Sequence, residues 1–178
     1  GRCIAAHHSE SLEAWLMHTP GLYVVMPSTP YDARGLLKAA IRSDNLVVFI
    51  EHKATYGQLG PVPAGDYIIP LGVADIKRTG KDATIVSYSR MAMLSLKAAK
   101  ILAEKYNIDT EVIVLRTLKP MDIKTVAESV RKTGRLITVS EGFGTCGAGR
   151  EIAGKFMEYE FDDGTHGFDY LDAAPVNL

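Results

Sequence analysis

Five short runs rich in apolar and β-branched residues, at 22–26, 46–50, 83–88, 111–115 and 136–139, constrain this chain more than any other feature. None alternates strictly between polar and apolar. Strands that are apolar on both faces belong to parallel sheets covered by helices. Segments of helical character separate the runs. The alternation predicts an α/β fold, layered α/β/α, with mainly parallel sheets and right-handed crossovers.

The helical segments carry their own signals. Leu12, Trp15, Leu16 and Met17 recur at helical spacing, with Ser9 or Ser11 as N-cap and Pro20-Gly21 as the stop. Thr29-Pro30-Tyr31-Asp32 reads as an N-cap, a first-turn proline and a capping-box acid. Ala33, Leu36, Leu37, Ala40 and Ile41 then form one apolar face, and Ser43-Asp44-Asn45 ends the helix. A helix over 90–106 should bury Leu94, Ala98, Ile101 and Leu102. Pro120-Met121-Asp122 opens another, to about Lys132, with Gly134 as a left-handed terminator. A last helix is expected over 148–158.

Residues 57–80 hold Pro61, Pro63, Pro70 and five glycines, and no helical period survives there. The segment reads as a linker with short extended pieces at 67–69 and 73–76. The expected division is therefore 1–56, a linker over 57–80, and a second α/β domain over 81–178.

Twenty Lys and Arg against twenty-one Asp and Glu give a net charge of −1. That argues against nucleic acid or an anionic membrane surface as the main partner, since both call for a basic excess. Two cysteines, Cys3 and Cys146, cannot build a disulfide framework and suit a reducing compartment. No apolar run approaches the ~20 residues of a membrane-spanning helix. The chain opens at Gly1 without Met and closes on an apolar run at 174–178, so it is expected to be a piece of something longer.

Gly142-Phe143-Gly144-Thr145-Cys146-Gly147 fits G-x-G-x-x-G between a strand and a helix. Such a loop can bring backbone amides against a pyrophosphate. It falls at the third strand of its domain, however, and no acid ends the strand that should follow. The other reading is a tight turn whose glycines let the helix pack close.

Several stretches read together resemble one family. They are 8–15 (HSESLEAW), 18–22 (HTPGL), 27–37 (PSTPYDARGLL), Glu51-His52-Lys53, Tyr56-Gly57 and 115–122 (LRTLKPMD). They look like the β subunit of the thiamine-diphosphate-dependent E1 component of 2-oxoacid dehydrogenase complexes. Pyruvate, branched-chain 2-oxoacid and acetoin dehydrogenases share this subunit. The resemblance implies the C-terminal part of a pyrimidine-binding domain followed by a truncated transketolase C-terminal-like domain. It implies an α subunit in an α2β2 heterotetramer, a second β subunit, and a lipoyl acyltransferase E2 as partners. Thiamine diphosphate would be shared with the α subunit, which holds the Mg2+. The glutamate that contacts the aminopyrimidine is expected upstream of Gly1. The acidic segment 159–168 departs from the family pattern. The implied location is the cytoplasm, or the mitochondrial matrix.

The resemblance places His8 at the family's active-site histidine, and an imidazole can donate and accept a proton near neutral pH. It places Ala40, Ile41, Ser43 and Asn45 at a potassium site built mainly from backbone carbonyls, with Ser43 where Asp is common. Glu51 and Tyr56 fall at the strand-end side where α/β ligands gather; Glu51 could equally pair with Lys53. Arg116 reads as a structural ion pair at a subunit interface. Trp15 and Met17 read as core or interface. Cys146 sits in the glycine loop with nothing that clearly lowers its pKa. Three functions follow: an oxidoreductase subunit supplying half of a thiamine diphosphate site, an NAD(P)-binding domain using 142–147, or a non-catalytic scaffold.

Overall fold

The computed structural model describes residues 5–178; Cys3 lies outside the described residues. The first part holds α1 (Glu13–His18), β1 (Leu22–Val25), α2 (Pro30–Ile41) and β2 (Leu46–Phe49). After a long irregular stretch come β3 (Asp75–Arg78), β4 (Ala83–Ser87), α3 (Ser89–Tyr106), β5 (Thr110–Val114) and β6 (Thr117–Lys119). The chain continues through α4 (Ile123–Thr133), β7 (Leu136–Val139), α5 (Ala148–Met157) and β8 (Val176–Asn177). The expected strands and helices are all present; β3 overlaps the short extended piece expected at 73–76, and β6 and β8 are added.

Two sheets organise these elements. The second has the order β3-β5-β4-β7-β8, parallel except for the antiparallel edge strand β3. The first has the order β2-β1-β6: β1 runs parallel to β2 and antiparallel to β6. Thus β6, which directly follows β5 of the second sheet in sequence, completes the first one. Three residues were too short a run to read as a strand.

The segment expected as a linker carries more structure than one. Its β3 pairs with β5, and Ile69 packs with Val25 and Leu36 in a small core. Gly35 permits that contact, because a Cβ there would lie 2.6 Å from Ile69 Cγ1. The main core is shared by both parts. Val24 and Met26 pack with Val86, Ile113, Leu115 and Phe156.

Several local readings need correction. The N-cap of α1 is Leu12, with no side-chain cap, while Ser9 bonds back to the Ala5 carbonyl. Thr29 does cap α2, and Asp122 caps α4. On α3 the buried residues are Ser89, Ala92, Ser95 and Ala99; Leu94, Ala98 and Ile101 are exposed. Small side chains let this helix lie close on the sheet, and Leu96 and the expected Leu102 flank them, half-buried against Ile85 and Val112. Segment 159–168 is anchored by buried Phe161, which forms edge-on contacts with Tyr159 and Tyr170, and by Arg131 over the Phe161 ring.

Arg116 acts within the chain. It is 8% exposed and bonds the carbonyls of Val73 and Ala74 at 3.2 Å each. Its Nη1 also lies 3.7 Å from Asp32 and 3.6 Å from Asp75. It ties α2 of the first part to β3 and to the β5–β6 connection. A single charge meets two carboxylates from distant segments, which sequence spacing could not reveal.

Candidate active site

The segment before α1, the ends of β1 and β2, and the start of α3 enclose a cavity of about 250 Å³. His7 and His8 lie on its wall in a short 3-10 turn, their rings 4.4 Å apart. Met26 and Ile50, immediately after β1 and β2, line it too. His8 is exposed and stands at the carboxyl ends of the parallel strands, where α/β sheets collect ligands.

Two polar bridges from the second part close the cavity. At the first, Tyr88 donates its phenol proton to Glu13 Oε1 at 2.9 Å. Burial, followed by the charge of Glu13, pushes the Tyr88 phenol well above its ordinary range, so it remains a donor. At the second, Glu141 Oε1 receives a hydrogen bond from Arg90 at 2.8 Å. Its Oε2 lies 2.8 Å from His52 Nε2, within ion-pair distance but off the line of a good hydrogen bond. His52 Nδ1 accepts the Ala54 N–H at 3.0 Å, which places the neutral ring's proton on Nε2, toward Glu141.

Ser89, on the same wall, is buried and held at φ 51, a left-handed conformation that a non-glycine residue adopts at a cost. Glu51 also lines the cavity, but it pairs with Tyr56 rather than with Lys53: the phenol donates to Glu51 Oε2 at 3.1 Å. That bond and the carboxylate charge raise the Tyr56 pKa.

Sequence reasoning did not single out Glu13, His52, Tyr88, Arg90 or Glu141 for the site. A usable signal existed. His52, Tyr88 and Glu141 all stand one to three residues past a strand's carboxyl end.

The potassium candidates lie elsewhere. Ala40, Ile41, Ser43 and Asn45 surround the C-terminal end of α2, just before β2 begins at Leu46. That is the opposite edge of the first sheet from His8. The Ala40 carbonyl accepts the Ser43 N–H at 3.2 Å, and Ser43 Oγ accepts the Asn45 N–H at 3.1 Å. Carbonyls at a helix C-terminus carry partial negative charge, so the donor type suits a hard cation.

Two larger hollows are chemically plainer. One of about 530 Å³ lies among Pro30, Leu59, Met93 and Leu96 and is mostly apolar. The other, about 1190 Å³, lies beside Trp15, Met121 and Cys146. Trp15 is 74% exposed there, whereas Met17 packs partly into the main core. The basic groups of this hollow are partly engaged: Lys119 bonds the carbonyls of Met17 and Thr19, and Lys155 pairs with Glu151.

The glycine loop is explained by its own packing. A Cβ on Gly147 would lie 2.0 Å from the Phe143 carbonyl oxygen, and Gly147 itself begins α5 as N-cap. The tight-turn reading therefore accounts for that glycine without a bound dinucleotide.

Comparison with known proteins adds the family context. The profile for "Transketolase, C-terminal domain" matches residues 72–177, and that for "Transketolase, pyrimidine binding domain" matches residues 1–58. The pyruvate dehydrogenase E1 component subunit beta of Rhizobium meliloti (strain 1021) is 52% identical over 98% of this chain, which covers 36% of that protein. The mitochondrial counterpart of Caenorhabditis elegans is 47% identical over 98% of the chain and 49% of its own length. The acetoin:2,6-dichlorophenolindophenol oxidoreductase subunit beta of Cupriavidus necator is 48% identical over 88% of this chain and 46% of its own. A solved structure described as a split gene transketolase, inactive β4 tetramer, shares the fold with a TM-score of 0.71 at 24% identity. That match covers 93% of this chain and 50% of the other. The chain thus spans about half, or less, of the length of these relatives.

Proposed function

Since this chain belongs to the transketolase family, matching both its pyrimidine-binding and its C-terminal domains, we propose that it is part of a 2-oxoacid dehydrogenase E1 β subunit. Its reaction is the oxidative decarboxylation of a 2-oxoacid with acyl transfer to a lipoyl group on E2. The observation that carries this reading is His8 at the carboxyl ends of β1 and β2, on a cavity rich in titratable groups. The likeness to pyruvate and acetoin enzyme β subunits supports it.

The residues present fit half of a thiamine diphosphate site. Met26 and Ile50 offer apolar contact, and His8 offers a proton donor and acceptor. Thiamine diphosphate, when bound, supplies an electron sink for decarboxylation. This chain's contribution is to hold His8 where it can pass a proton to or from the reacting group. Tyr88 and Glu13 hold the helix behind it against the second sheet. An α subunit would complete the site and hold the Mg2+. The carbonyls of Ala40, Ile41, Ser43 and Asn45 would hold a potassium ion remote from the chemistry. The division into a pyrimidine-binding part over 1–56, a connection over 57–80 and a C-terminal domain over 81–178 belongs to the same proposal. So do the α2β2 assembly, the E2 partner and a cytoplasmic location, with the mitochondrial matrix as the alternative.

The test uses the full-length β subunit assembled with its α subunit. His8→Ala should lower turnover about 100-fold, the scale of a lost acid–base group, with an unchanged melting temperature. Normal turnover with a depressed melting temperature would make His8 structural and overturn the assignment.

A further inference from the structure

Between the two parts lies the hollow of about 530 Å³ that the His8 chemistry does not use. Its walls come from separate stretches of chain: Pro30 at the start of α2, the irregular segment 58–63, Lys77 on β3, and Met93 and Leu96 on α3. Its size is that of a small-molecule site, and such sites gather where separate units of a fold meet.

The lining decides what kind of molecule fits. Among the described residues around it, Lys77 carries the only charge, and Asp75 already pairs with that charge at 2.5 Å. The hollow therefore presents no uncompensated charge to a ligand. Two polar groups on one side are unsatisfied. Ser28 is 2% exposed, and its buried hydroxyl has no hydrogen-bond partner. The side-chain amide of Gln58 has none among the described residues. Both residues also line a smaller hollow of about 180 Å³, which reaches Glu51 on the wall of the His8 cavity. The opposite walls are hydrocarbon, and Leu59 stands 95% exposed on the rim.

A charged ligand would lose its hydration there and find no counter-charge, which is costly. A pure hydrocarbon would leave the buried Ser28 hydroxyl without a partner. We propose that this hollow binds a small neutral molecule, with an apolar body against Leu59, Met93 and Leu96 and one hydroxyl or carbonyl toward Ser28 and Gln58. The site is separate from the acid–base reading of His8 and does not depend on it.

Cyclohexanol is the probe, added to the full-length subunit assembled with its α subunit and labelled with 13C at the methionine methyls. The Met93 methyl signal, identified by its disappearance in Met93→Leu, should shift saturably with the alcohol. Cyclohexanecarboxylate and cyclohexylammonium carry the same ring with a charge, and should bind at least about tenfold more weakly. This comparison needs no change in the site itself. Gln58→Leu, on the irregular segment, should weaken the alcohol about fivefold, the scale of one lost hydrogen bond. An absent or unsaturable shift at Met93, equal binding of either charged analogue, or unchanged affinity in Gln58→Leu would overturn the proposal.

Discussion

The two sheets solve the same packing problem with unequal means. In the second, β4 and β5 are buried along their whole length and flanked on both sides by further strands. In the first, β1 is central, but β2 is an edge whose residues are exposed or half-buried. Leu37 and Ile41 on α2, and Leu46 at the start of β2, are 44%, 75% and 68% exposed. The smaller sheet also takes β6 and the Ile69 contact from later in the chain. The second part has one cluster of its own, around Ile85, Ala99 and Val112, while the main core takes Val24 and Met26 from the first part. The first part's exposed apolar stripe leaves surface for further chain or a partner to cover.

The sharpest way to break this comparison is to cut the tie between the parts. Arg116→Met should destabilise the protein by about 3–5 kcal/mol, since Asp32, which is fully buried, would lose its compensating charge. Thr29 bonds only the other carboxylate oxygen. Denaturant unfolding followed by circular dichroism should show the loss, and the first part should open earlier. An effect below about 1 kcal/mol would mean that the parts do not depend on this ion network.

A smaller effect is expected from crowding the first part alone. Gly35→Ala forces a Cβ against Ile69 and Tyr67 and should cost about 1–3 kcal/mol, read from the urea midpoint. Equal or greater stability would show that segment 67–69 can simply move away, and that the small core contributes little.

Acid tests the second part. Burial pushes the Glu111 carboxyl up, but hydrogen bonds from Lys132, Ser129 and the Gly80 N–H outweigh it, and the pKa is lowered. A depressed folded value adds stability above the ordinary carboxylate range, and that stability is lost as pH falls through the folded value. Stability measured from about pH 5 downward should therefore decline less steeply in Glu111→Gln than in the parent, from a lower starting point. Parallel declines would remove Glu111 from the acid response.

The smallest effect belongs to the end of α3. Asn107 sits at φ 56, a conformation that glycine adopts freely. Asn107→Gly should change stability by less than about 0.5 kcal/mol, whereas Asn107→Ala should cost about 1 kcal/mol in a thermal melt. Equal costs for both would show that the left-handed cap does not limit the helix.

Much of the site was also within reach of the sequence, though incompletely. His8 stood out by its motif, and Glu51 by its place after a strand. Glu141 and Tyr88 share that place past a strand's end, but what makes them matter is contact with residues 75 or more positions away, which spacing does not reveal.

Local chemistry therefore determined what local chemistry can: the alternating strands and helices, the Thr29 and Asp122 caps, and the left-handed stop at Gly134. Each depends on residues within one turn. Tertiary structure decided which face of α3 is inside: Ser89, Ala92, Ser95 and Ala99 are buried against the sheet while Leu94 and Ile101 stay exposed. It decided that β6 crosses to the first sheet, and that Arg116, Asp32 and Asp75 meet. It also brought His52 to Glu141, and with it the closed wall of the His8 cavity. These are pairings between segments far apart in the chain, and the free energy that selects them exists only once the core has formed.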